Sequence, residues 1–257
     1  MSYKSINTEQ GHWVLAKMGK RVLRPGGKEL TMKLVNGLQI TKEDELVEFA
    51  PGMGFTANLL LQKQPKNYTG VELNEEAAHL LQTKINSKQY KVLNASASET
   101  GLASSSVTKV IGEAMLTMQP DHRKSEIMRE AFRILKPGGC YGIHELGLAP
   151  DNLDAEIKKE VQQGLAKSIK VNARPLTKSE WCALLEKEGF KIKLVEENPM
   201  DLLKVKRIIA DEGILRTLKI GFNVLTHPEE KKKILTMRET FKKYEKHLIS
   251  YAIIAEK

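Results

Sequence analysis

Only two cysteines occur in 257 residues, Cys140 and Cys182. They lie far apart without metal-ligand spacing, which excludes a disulfide framework and a thiolate zinc site, so no bound metal is expected. Nowhere do 18 apolar residues run together, so no transmembrane segment is expected. The opening Met1-Ser2-Tyr3-Lys4-Ser5-Ile6-Asn7 lacks an apolar signal core. A reducing, cytoplasmic setting is the expectation that fits. Aromatic residues make up 5% of the chain, so stacking platforms for nucleic acid are scarce, and no recognisable RNA-binding module is appended. No internal repeat or low-complexity segment is found.

What is present is enough apolar content, 41%, for one domain with an elaboration. The net charge is +9, and its distribution is uneven. Residues 1–40 carry seven Lys/Arg against two Glu, residues 200–257 thirteen against eight acids, and the middle is nearly balanced, 21 against 22. The basic excess therefore sits in the flanks around a neutral body.

The body is organised around Val47-Glu48-Phe49-Ala50-Pro51-Gly52-Met53-Gly54-Phe55-Thr56. A short apolar run reads as a buried strand and the stretch from Phe55 as the helix it feeds, which puts Gly52 and Gly54 in the strand-to-helix turn. Glycines there let a backbone approach a ligand closely, beside the unpaired N–H groups of a helix start, or else serve only tight packing. A second strand ends in Val71-Glu72-Leu73-Asn74. An acid at that place, roughly 20 residues past a glycine turn, can accept hydrogen bonds from a ribose diol. The dinucleotide fingerprint Gly-x-Gly-x-x-Gly is not matched, since no glycine lies three after Gly54.

Glu48 to Gly54 resembles the acid-x-Gly-x-Gly-x-Gly motif of class I S-adenosylmethionine-dependent methyltransferases, with Ala50 in place of the first glycine. Glu72 matches that family's ribose-binding acid. Glu130-Ala131-Phe132-Arg133-Ile134-Leu135-Lys136-Pro137-Gly138-Gly139 is similar to the helix and turn that lead into its fifth strand. The resemblance covers about residues 45 to 145. It implies S-adenosylmethionine as cosubstrate, with Glu48, Phe49, Ala50, Pro51, Gly52 and Gly54 cradling the methionine end and Glu72, Leu73 and Asn74 taking the ribose side. Where the family places Gly-Asp-Ala, whose aspartate accepts from the adenine amino group, this chain has Asn94-Ala95-Ser96. Ala95 cannot make that contact; Ser96, a backbone carbonyl or a water would replace it.

Val107–Ile111 reads as the fourth strand, followed by Gly112-Glu113-Ala114-Met115, and Cys140–Glu145 as the fifth. In an open α/β sheet ligands bind outside the strand C-termini, so Glu113 falls over the donor, as a catalytic carboxylate or as a cap on the following turn. The Asn/Asp-Pro-Pro-Tyr/Phe motif of many amine methyltransferases is absent there. His144 could take a proton near neutral pH, or be an imidazole satisfied by backbone.

From Thr8 a helical pattern with Leu15, Met18 and Val22 on one side and Lys17, Lys20, Arg21 and Arg24 on much of the rest ends at Pro25-Gly26-Gly27; it reads as a lid or as a plain surface helix. Trp13 beside His12 reads as packing. A helix follows over 28–38. Thr177 with Glu180 has the spacing of a capping box. Residues 190–195 alternate like a strand with one exposed face. About 50 residues then separate that sixth strand from the last, with Leu202, Leu203, Ile208, Ile209, Ile214, Leu215, Leu218, Ile220 and Phe222 exceeding what a solvent-facing helix buries; the insertion should pack on the body or in a homo-oligomer.

The expected fold is α/β, a doubly wound, Rossmann-like, seven-stranded, mostly parallel sheet with helices on both faces. Residues 1–40 form a helical arm, 41–199 the S-adenosylmethionine-binding body, 200–246 a helical cap insertion and 247–257 the last strand. The expected activity is methyl transfer to a small-molecule acceptor, anionic or amphipathic because the basic flanks would frame the mouth. The alternatives are an RNA methyltransferase, favoured by the basic charge, and a non-catalytic nucleotide-binding or regulatory protein, permitted by Ala50 and Ala95.

Overall fold

The computed structural model describes residues 10–85 and 87–257; the expected helix start at Thr8 and the N-terminal residues before it lie outside them. The helices are α1 (Gly11–Lys17), α2 (Gly27–Gly37), α3 (Phe55–Leu61), α4 (Glu75–Ile85), α5 (Asp121–Ile134), α6 (Ala155–Ile169), α7 (Lys178–Lys187), α8 (Val205–Glu212), α9 (Ile214–Thr226) and α10 (Pro228–Lys243). The strands are β1 (Glu45–Phe49), β2 (Asn67–Glu72), β3 (Tyr90–Asn94), β4 (Val107–Glu113), β5 (Leu135–Leu148), β6 (Leu176–Thr177), β7 (Lys191–Pro199) and β8 (Leu248–Glu256).

The sheet order is β3-β2-β1-β4-β5-β8-β7, with the two-residue β6 beside the end of β5. β1 to β5 pair in parallel, and β8 runs antiparallel between β5 and β7. This is the expected sheet, with β6 added as an eighth, minimal strand. Because helices cover both faces, the inner strands carry apolar residues on both sides. One face is packed by Phe49, Val110, Met128, Tyr141 and Trp181, and the other by Leu30, Leu34, Leu46, Leu60 and Tyr68. The order reverses between β1 and β4, whose ends are paired Phe49 to Gly112; this is the switch point at which α/β sheets leave a crevice.

Three expectations shift. The arm helix ends at Lys17, because Gly19 takes a φ of +100° and the chain beyond it is held non-helical by contacts from α8. β5 reaches Leu148 because β8 pairs with it to that residue. The cap buries Leu202, Leu203 and Ile220, but leaves Ile214, Leu215, Leu218 and Phe222 exposed: α9 turns Ile220 inward and the opposite face outward. The capping box is present, with Thr177 accepting from the Glu180 N–H and Glu180 from that of Thr177. Among the described residues no helix is long and apolar enough to cross a membrane, and no cluster of His, Cys, Asp or Glu could hold a metal.

Candidate active site

At the switch point the β1–α3 turn is shaped by backbone conformation. Ala50, Gly52 and Gly54 all have positive φ, +50°, +53° and +82°. At Gly54 a Cβ would lie 2.4 Å from Leu81 Cδ1 in addition to the left-handed φ, so a larger residue is strained there, whereas a Cβ on Gly52 would meet nothing within 4 Å. Ala50 adopts the left-handed region at a cost of order 1 kcal/mol or more, with its N–H donating to Val71 O at 2.8 Å.

Glu72, at the end of β2, binds this turn to the next. Gly52 N–H donates to its Oε2 at 3.0 Å and Asn74 N–H to its Oε1 at 2.9 Å. Each carboxylate oxygen keeps accepting capacity toward the open side of the turn. Asn74 also caps α4 through its side-chain oxygen and Ala77 N–H, 2.9 Å. Leu73 stands 74% exposed beside them. Asn94 donates its amide to Glu72 O at 3.0 Å and Leu73 O at 2.9 Å, so its side chain holds the β2 terminus. Ala95 N–H donates to Glu72 O, and the Ser96 and Ser98 hydroxyls are paired with each other.

Glu48 and Phe49 lie below this surface. Tyr68 OH donates to Glu48 Oε2 at 2.7 Å, and burial, opposed by that bond, pushes the Glu48 carboxyl up to about 8. Phe49 packs edge-on to Tyr141. Neither lines the cavity; a carboxylate just before a glycine turn can equally end up as a core acid.

The cavity, about 320 Å³, opens from this turn. Ala50, Pro51, Gly52, Met53, Phe55, Glu72 and Glu113 form one end. The other is a chamber built by Trp13 and Leu15 of α1, Leu165 and Ile169 of α6, Met237 and Phe241 of α10, with Leu23, Met118, Leu146, Met200 and Leu202. Trp13 is expected in packing beside His12 and lines the chamber instead, and the α6 and α10 contributors carry no sequence signal of it, since their apolar positions look like core and partly are. His12 also lines the chamber, and burial lowers its pKa to about 4, so it is neutral at pH 7.

Glu113, at the turn end, is fully engaged. Its Oε1 accepts from Thr31 Oγ1 at 2.7 Å and faces His144 Nδ1 at 2.7 Å; its Oε2 accepts from Thr56 Oγ1 and lies 3.5 Å from the Arg24 guanidinium. Burial raises this carboxyl, but Arg24, His144 and Thr56 together outweigh it and hold its pKa down at about 2. His144 is completely buried, with Nε2 against Pro25 O at 2.5 Å. Both ring nitrogens thus face acceptors, a carboxylate and a carbonyl. The ring does not line the cavity. Arg24, expected only as part of the arm's basic side, completes this cluster together with Thr31 and Thr56, which were given no role from sequence. Arg24 also donates to Thr56 Oγ1 at 2.7 Å and lies over the Phe55 ring.

Behind the chamber Glu145 holds the 115–117 loop, accepting from the N–H groups of Met115, Leu116 and Thr117 and from Thr117 Oγ1 at 2.7–2.9 Å. Burial raises its pKa against these bonds. The segment 19–28 closes over the cavity and is gripped from α8: Glu212 Oε1 accepts from Arg21 and Val22 N–H, and Asp211 Oδ1 from Lys28 N–H. Lys20 Nζ is buried 3.6 Å from Asp211 Oδ2, and neither atom has a hydrogen-bond partner.

Residues 47–143 match the model of a methyltransferase domain family. An uncharacterised protein of Haemophilus influenzae is 34% identical over 97% of this chain and 98% of its own. A ribosomal RNA small subunit methyltransferase A of a Hydrogenobaculum species is 32% identical over 44% of this chain and 46% of its own. Among solved structures, the [4+2]-cyclase SpnF superposes over 97% of this chain and 94% of its own, TM-score 0.73, identity 14%. A phosphoethanolamine N-methyltransferase 2 of Haemonchus contortus, solved with S-adenosyl-L-methionine, superposes over 99% of this chain and 58% of its own, TM-score 0.73, identity 15%. Residues 47–143 are thus a domain of a methyltransferase family, set in a chain whose fold is shared with S-adenosylmethionine-dependent enzymes of known structure.

Proposed function

We propose that the protein transfers a methyl group from S-adenosylmethionine to a small apolar acceptor that carries an acidic group. The observation that carries this reading is that one cavity joins the Gly52–Glu72 turn to a chamber of Trp, Leu, Ile, Met and Phe side chains. The turn fits the donor. Glu72 offers two oxygens with free accepting capacity for a ribose diol, Gly52 has open space above it, and exposed Leu73 offers an apolar surface for a flat heterocycle. The donor brings an electrophilic methyl group, and the protein's work is to hold and orient what attacks it and to exclude water.

Arg21 lines the cavity at its rim and makes no ion pair among the described residues. A cation at the edge of an apolar chamber suits an acceptor whose body is apolar and whose tail is anionic. Glu113, held ionised and surrounded by donors, is a fixed anion and a poor proton acceptor; with His144 and Arg24 it anchors the 24–25 segment and the α3 start. Glu113 and His144 are assigned positioning roles.

The SpnF match makes donor binding and methyl transfer separate questions. Calorimetry with S-adenosylmethionine and S-adenosylhomocysteine tests the first, and Glu72→Ala should weaken both by about 1.5–3 kcal/mol. Methyl incorporation across a panel of apolar carboxylates and phosphates tests the second, and Arg21→Gln should raise the acceptor KM with kcat preserved. Donor binding without transfer to any acceptor class would point to a non-catalytic or non-methylating role, and NAD binding without either ligand would overturn the reading. The 118-residue match favours ribosomal RNA as a second acceptor. The chamber, enclosed by α1, α6 and α10, argues against a nucleobase in a long chain, and salt-sensitive RNA binding coupled to methyl incorporation would reverse that preference.

A further inference from the structure

The outward face of α9 inverts the usual order of a surface helix. Ile214, Leu215, Leu218, Phe222 and Leu225 are all between 65% and 84% exposed, while Arg216, Thr217, Ile220 and Asn223 turn toward the protein. Inward, Asn223 donates to Met18 O at 2.9 Å and Arg216 to Gly19 O at 3.4 Å, which fixes the helix with its apolar side out. Val205 and Ile209 of α8 extend the patch. From Ile214 to Leu225 the stripe is about 16 Å long. Residues 204–246 carry twelve Lys/Arg against six Asp/Glu. Of those six, Asp211 and Glu212 point at the arm and Glu230 pairs with Lys17, so the positive excess lies outward. Lys206 and Lys219 are exposed beside the stripe.

We propose that the α8–α9 face docks on the surface of an anionic membrane, with the α9 stripe set into the headgroup boundary and the surrounding lysines on the lipid charge. An apolar stripe within a basic field is the chemistry of an interfacial helix. A second copy of the chain fits less well, since two such faces would bring like charges together. A stable dimer interface also draws on roughly 20–30 residues from each side, and this stripe supplies few. α9 rests by its inward side on the arm segment that closes the cavity, so a membrane on the outward face would lie across that helix from the arm. The docking surface itself stands apart from the methyl-transfer reading.

The test is sedimentation of the full chain with vesicles of 30% phosphatidylserine in phosphatidylcholine, and with pure phosphatidylcholine, at low ionic strength. The expected result is binding to the first and at least tenfold weaker binding to the second. Leu215→Ser with Leu218→Ser and Phe222→Ser, exposed positions whose loss leaves the core untouched, should weaken binding by on the order of 100-fold. Lys206→Gln and Lys219→Gln should each weaken it roughly fivefold. Circular dichroism and donor calorimetry on each variant report folding. No vesicle binding by the wild type, or binding unchanged in the triple serine variant, overturns the proposal. So does a wild-type dimer in sedimentation velocity that the triple variant dissociates without any vesicle binding, which assigns the face to a second copy.

Discussion

The two ends of the cavity differ in how far along the chain their parts are gathered. At the turn end, the ends of the adjacent parallel strands β1 and β2 are joined by backbone N–H groups, Ala50 donating to Val71 O and Gly52 and Asn74 to the Glu72 carboxylate. At the chamber end, Trp13, Leu165, Met200 and Met237 come from α1, α6, the segment before α8 and α10, and their side chains meet by packing between elements far apart in the chain. A short-range, hydrogen-bonded site tolerates change in its surroundings, because the sheet register sets it. A long-range, packed site depends on every element that brings a wall, so the chamber can change its shape while the turn stays as it is.

That contrast can be broken at one buried acid. Glu145 supports the chamber floor with three backbone N–H groups and a hydroxyl, so Glu145→Ala leaves several buried donors unpaired. It should cost roughly 4–5 kcal/mol in urea unfolding; a loss below about 1 kcal/mol would mean that the 115–117 loop holds itself.

Glu48 sharpens the comparison beneath the turn. Burial raises its folded pKa to about 8, above the unfolded value. Between those two values the folded state binds the extra proton, so stability falls as pH rises from about 4.5 to 8. Glu48→Gln keeps an acceptor for Tyr68 and removes this titration. It should match wild type near pH 5 and exceed it by about 2–4 kcal/mol near pH 9 in pH-dependent melting. Glu113 works in the opposite sense: with its pKa at about 2, its contribution is present above the unfolded value and is lost as pH falls toward 2.

Glu72→Ala, at about 1.5–3 kcal/mol of donor affinity, should leave chamber-ligand binding nearly unchanged, since the two ends share few contacts. The smallest expected effect is at Ala50. Ala50→Gly removes a left-handed alanine and should raise stability by roughly 0.5–1 kcal/mol, less what the freer unfolded chain takes back. A loss of stability would mean that the alanine methyl packs against something worth more than the strain.

The same contrast explains what could be read from sequence. The sheet elements β1 to β4, the switch-point turn and the acid at Glu72 were legible because they rest on local apolar runs and glycine spacing. The arm helix was overextended past Lys17, since nothing local announces that Glu212 takes the N–H groups of Arg21 and Val22. The Glu113 cluster was half legible. Glu113 and His144 appear at strand ends, whereas Arg24, Thr31 and Thr56 join them only through folding. The chamber was nearly invisible, because a methionine or leucine that lines a cavity has the same helical spacing as one in a core. The cap's apolar residues were noticed, but periodicity alone could not tell that α9 faces most of them to solvent.

The segment over the cavity is held less firmly than its contacts alone suggest. Lys20 Nζ and Asp211 Oδ2 lie buried without a hydrogen bond to either, so part of the grip from Asp211 and Glu212 is offset by lost hydration. Dehydration of that pair acts as a spring beneath the segment, set against the backbone N–H bonds that Glu212 and Asp211 accept.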